Sequence, residues 1–162
     1  MYIPKITIVC FFVCATMFSC NDNFEIGFNE LVNVREYDCL NTVSLHGLDD
    51  CSQKYKELYL KGAKINHQLI AKAISGKETK YRLCPMSFLL TEGDIALCLL
   101  IDINKMDDNE FYKLIPPALI SDHKNKGSIT WWLWIHEKPE NRRWVVDQIQ
   151  AILDKRRLGV SP

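Results

Sequence analysis

The sequence predicts a mainly α fold, a compact bundle of about four to six helices that follows an apolar leader and a short tether. Three observations predict it. Residues 52–74 repeat apolar side chains at spacings of three and four, residues 91–101 place a capping signal before a run with no polar face, and residues 139–157 open with proline and carry an apolar stripe. At 162 residues the chain fits one domain. With 48% apolar and 25% charged residues it belongs to neither the disordered nor the multi-span membrane class. Twenty basic side chains balance 20 acidic ones, so no field favours nucleic acid, and none is expected as a partner.

The first element is the leader. Lys5 precedes an apolar run from Ile6 to Phe18, and Ser19-Cys20 gives way abruptly to Asn21-Asp22-Asn23. A charged start, a short apolar stretch and a small residue at the break make a secretory signal. The run is shorter than the roughly 20 residues of a membrane span. It also lacks the polar face of a core helix. Residues 20–50 follow as a tether and partly ordered segment, with a helical turn at Phe28-Asn29-Glu30-Leu31-Val32 and order setting in near Leu31, and residues 51–162 are expected to form the helical domain.

The segment from Ser52 to Ile74 predicts an amphipathic helix, with Tyr55, Leu58, Tyr59, Gly62, Leu69, Ile70, Ala73 and Ile74 recurring on its inner face and lysines 54, 56, 61, 64 and 72 outside. Ser75-Gly76 ends it with a glycine suited to a left-handed cap. Lys77 to Leu90 reads as a polar link with an extended end. Thr91-Glu92-Gly93-Asp94 is a capping box, and the run from Ile95 to Ile101 makes the buried centre of the core. Asn109 caps a short helix through Phe111, Leu114 and Ile115, which Pro116-Pro117 breaks. The stretch ITWWLWI, 129–135, suits a strand by composition but has no second strand to pair with, so a helix is expected. The last helix runs from Pro139 to about Arg157, with Val145, Ile149, Ile152 and Leu153 inward and Arg142, Arg143, Asp147, Lys155 and Arg156 outward.

Chemistry is sparse. There is no phosphate loop, HExxH, GxSxG or CxxC, so no cofactor and no metal is expected. His46, His67, His123 and His136 are scattered, and no catalytic residue is assigned. Asp102 and His67 are the residues on which a small envelope hydrolase or a polysaccharide-binding accessory protein, the alternative reading, would depend. Trp131, Trp132 and Trp134 offer an aromatic binding face: neighbours on one helix cannot both point inward, so at least one is expected at the surface. In an exported chain Cys39, Cys51, Cys84 and Cys98 permit two disulfides in any of three connectivities. Cys39–Cys51, which brackets a turn-like stretch, is the favoured bridge. Cys98 also reads as a small buried apolar residue.

Met17-Phe18-Ser19-Cys20 resembles the lipobox of bacterial lipoproteins, with the bulky Phe18 where that family usually has a small side chain. The resemblance implies cleavage before Cys20, a diacylglycerol on its thiol, further acylation such as palmitate, and a chain anchored in the membrane of the cell envelope, facing periplasm or exterior. The stretches KYKELYLKGAKINHQLI and LTEGDIALCLLIDI, with PENRRWVVDQI, resemble small helical domains of uncharacterised bacterial proteins; this implies a fold and no activity. The function expected is therefore a lipid-anchored, non-enzymatic protein-binding module whose partner is a toxin, in an immunity role, or an envelope component.

Overall fold

Phe24, Phe28, Leu31 and Val32 stand at i, i+4, i+7 and i+8, the spacing of one helical face, and all four are buried. The computed structural model describes residues 23–33, 53–82, 89–127 and 129–159. The leader, Cys20, Cys39, Cys51 and Cys84 lie outside them. The expected tether is corrected at this point: residues 23–32 form helix α1, and its apolar stripe belongs to the core. Isolated asparagines and glutamates between the apolar residues are its outer face.

Helix α1 lies antiparallel to α2, Gln53–Leu60. Lys61 Nζ donates to the Asn23 carbonyl at 3.1 Å, a Cβ on Gly27 would touch Leu58 at 3.5 Å, and Glu30 pairs with Lys54 at 2.7 Å. On its other flank Glu25 pairs with Lys72 at 2.8 Å. The single helix expected over 52–74 is broken. Gly62 adopts φ +62, which ends α2. A short 3-10 turn, Gly62–Ile65, then leads into α3, Asn66–Ala73. Gly76 supplies no left-handed cap; α3 closes through Ile74 in right-handed geometry.

The expected polar link contains a hairpin. Strand β1, Glu78–Arg82, pairs antiparallel with β2, Leu89–Thr91, matching Glu78 with Thr91 and Arg82 with Leu89. Strands this short carry too few alternating apolar positions to stand out in a sequence. Helix α4, Glu92–Ile103, follows, buried throughout from Glu92 to Ile101 as its uniform apolarity requires. Cys98 is a free, buried thiol within it, and burial, with Asp102 and Asp94 nearby, pushes its pKa well up.

Helix α5, Asp108–Tyr112, is capped by Asp107 rather than Asn109. Asp107 accepts from the Glu110 amide at 2.9 Å, and the Glu110 carboxylate accepts from the Asp107 amide at 3.3 Å. A 3-10 turn, Pro117–Leu119, leads to α6, Ile120–Lys126. Residues Ile129–Glu137 form helix α7, and Pro139–Arg157 form α8. The mainly α prediction holds, with eight α-helices among the described residues; the excess over the expected number comes from α1, the break at Gly62 and the short α6.

Trp131 and Trp132 correct another expectation, since each is only 1% exposed. Helix α7 is packed between α6 and α8, so the buried arc of its girth exceeds the angle of about 100° separating neighbours. Trp131 donates from Nε1 to the Leu114 carbonyl at 2.7 Å and packs edge-on against Phe111 and Trp132. Trp134 is half-buried against Trp144. Trp131 and Trp132 are thus core side chains, and Trp134 joins α7 to α8 through Trp144.

Candidate functional site

Asp94 is the third residue of α4, and its capping role places it at the helix start. Its Oδ2 accepts from the Thr91 amide at 2.7 Å and the Thr91 hydroxyl at 2.9 Å, while Thr91 Oγ1 accepts from the Asp94 amide at 3.2 Å. The first amides of α4 are also satisfied: Glu92 donates to the Lys77 carbonyl at 2.8 Å and Gly93 to that of Ser75 at 3.2 Å. Chain 73–77 thus lies directly against the helix start. Glycine at 93 is required by that approach. A Cβ there would stand 2.5 Å from the Ser75 carbonyl oxygen, 2.6 Å from that of Ala73 and 2.6 Å from Arg142 Nη1. Two of these are backbone atoms that cannot swing aside. Gly93→Ala is therefore expected to destabilise the fold by about 1–3 kcal/mol, read as a lowered midpoint in urea with an unchanged slope.

The capping carboxylate has two further partners. Arg142 of α8, expected outward, is 5% exposed and brings Nη2 to 2.7 Å from Asp94 Oδ1. His136 of α7 donates from Nε2 to Asp94 Oδ2 at 2.8 Å. Burial raises the Asp94 carboxyl, but the hydrogen bond from His136, the Arg142 guanidinium and the Thr91 amide together outweigh it, so its pKa lies below the usual value. Asp94 is thus an ionised, fully enclosed carboxylate holding three elements at one point.

Above it opens a cleft of about 470 Å³ between the hairpin and the α7–α8 corner. His136, Arg142 and Thr91 form its polar floor; Ile74, Leu89, Ile135 and Pro139 its apolar walls; Glu78 and Lys138 its charged rim. The corner is braced by Asn141, whose Nδ2 donates to the Trp134 carbonyl at 2.7 Å. Ile74 stands 52% exposed at the mouth. A cleft with a fixed imidazole and guanidinium below apolar walls can receive a side chain that is apolar along its stem and polar at its tip.

The residues singled out in the sequence lie elsewhere. Asp102, at the far end of α4, accepts a hydrogen bond from the Tyr55 hydroxyl at 2.6 Å. His67 is exposed on α3, and His123 packs against the rings of Phe111 and Tyr112. None of them lines the cleft. Among the described residues no three metal-ligating side chains converge, and no helix is long and apolar enough to cross a membrane. Sequence reasoning missed His136 and Arg142. The signal for Arg142 was its place on the inner stripe of α8, three residues before Val145. No protein-family model, curated protein or solved structure matches this chain.

Proposed function

We propose that the protein is a lipid-anchored component of the bacterial cell envelope, held at the membrane through Cys20, which binds another protein in the cleft beside His136. The leader and its terminal cysteine support the anchor. The cleft carries the binding reading. Its floor is fixed by a buried ion pair, its walls are apolar, and its rim bears opposite charges at Glu78 and Lys138. Such a site accepts one anchoring side chain and sets its orientation through the rim. In its specific form the partner is a toxin delivered by a neighbouring cell, and the protein is the immunity factor that intercepts it at the membrane.

A photoreactive side chain at Ile74 is expected to crosslink one envelope or incoming protein in intact cells. The same group at Lys155, about 20 Å along α8 from Arg142, is expected to miss it. Purified, that protein binds the wild-type chain and loses about ten- to a hundredfold in affinity for Lys138→Glu, roughly 1.4–2.8 kcal/mol. Equal capture at both positions, or an unchanged affinity, overturns the reading. If the partner is a toxin, cells lacking the protein die beside competitors that deliver it, and the Lys138→Glu chain fails to restore survival.

A further inference from the structure

Trp144 stands on the solvent side of its own helix. The buried residues of α8 are Arg142, Val145, Val146, Ile149 and Ile152. At about 100° per residue Trp144 falls on the opposite arc, in one stripe with Glu140 four positions before it and Asp147 three after. Both of those acids are exposed, whereas Trp144 is half-buried. The ring against it is Trp134 of α7, 5.7 Å away between centroids and nearly perpendicular, at 85°. On α7 an exposed acid, Glu137, again stands three positions after the tryptophan. The α7–α8 pair thus brings two half-buried indoles, set edge to face, and three carboxylates together.

The carboxylates are short of counter-charge. Glu140 and Asp147 make no ion pair among the described residues, and Glu137 has only its neighbour Lys138, 3.8 Å away. Lys138 also lines the cleft on the other side of the corner. Arg143, a turn before Asp147, is exposed and makes no ion pair with it. An indole face attracts cations through its quadrupole, and a carboxylate beside it supplies the hydrogen-bond acceptor. We propose that the Trp134–Trp144 notch is an interaction surface for a basic segment of a partner protein. One arginine of that segment lays its guanidinium on an indole face and donates to the carboxylates around it. Arginine fits better than lysine, because its planar, weakly hydrated head stacks on a ring and still donates in its own plane. The stripe of Trp144 faces away from that of Arg142, so this contact is separate from the cleft and does not depend on what the cleft binds.

The test follows the indole N–H signals of the full chain, labelled with nitrogen-15 at its four tryptophans, all of which lie at 131, 132, 134 and 144. A hexa-arginine peptide is added at 0.15 M salt, and Trp→Phe variants assign the signals. Trp134 and Trp144 are expected to shift together, while Trp131 and Trp132, each 1% exposed, stay in place and report that the fold is intact. A hexa-lysine peptide is expected to bind several-fold more weakly. The double variant Glu140→Gln with Asp147→Asn should weaken hexa-arginine about tenfold. Glu57→Gln with Asp122→Asn makes the same change of charge on other helices and should alter affinity less than about twofold. Signals of Trp134 and Trp144 that do not move overturn the proposal. Equal weakening by the two double variants also overturns it, because the attraction is then to overall charge and has no seat at the notch.

Discussion

Asp94→Ala is expected to lose about 3–5 kcal/mol of stability, because it leaves the Arg142 guanidinium buried with no counter-charge. It also removes the cap of α4 and the acceptor for His136. A domain of this size has about 5–15 kcal/mol in total, so the variant should be largely melted near body temperature. Urea unfolding of the single variants and of the double variant Asp94→Leu with Arg142→Met separates the pair from its packing. The double variant should be more stable than the summed losses imply, by about 1–3 kcal/mol. Additive losses would show that the ion pair contributes nothing beyond its parts. The pH dependence has a defined sign. The Asp94 carboxyl is held below its unfolded value, so its contribution is complete above about pH 4. That contribution is lost as pH falls through the lower folded value. Asp94→Ala should therefore show a shallower loss of stability in acid than the parent chain.

Trp131→Ala is the second large effect, also about 3–5 kcal/mol. The indole is 1% exposed, and its removal empties the space between Phe111 and Trp132 and leaves the Leu114 carbonyl without its donor. Leu133→Ala, on the exposed side of the same helix, should change stability by about 0.5 kcal/mol or less. Calorimetry of the two variants decides between a core helix and an aromatic face. Comparable melting temperatures would return Trp131 to the surface.

How much of this was legible differs by element. The capping box at Thr91–Asp94, the buried run after it and the limits of α8 were visible, because each is set by neighbours in sequence. The site was hidden by the success of that local reading. Once Asp94 is explained by its own helix, nothing in the sequence asks for a second partner. Yet both capping-box carboxylates take an arginine from α8, Asp94 from Arg142 and Glu110 from Arg156. Positions 142, 145, 149, 152 and 156 share one helical stripe, so a charge there signals a buried partner rather than a solvated face. The tryptophans failed for a different reason. Their burial depends on how many elements surround α7, a property of the whole assembly. Helix α1 was obscured by asparagines that read as linker, although Phe24, Phe28 and Leu31 carry helical spacing.

The polar ties that fasten α8 and its corner have a kinetic consequence. His136 and Asp94 are 42 positions apart, and Arg156 and Glu110 are 46. Contacts this distant are slow to form, since the loop between them must be closed before they stabilise anything. A chain emerging from its N-terminus carries Asp94 and Glu110 without counter-charges until α8 arrives. Folding is therefore expected to wait for the last helix, and a nascent chain stays open until its synthesis is almost complete.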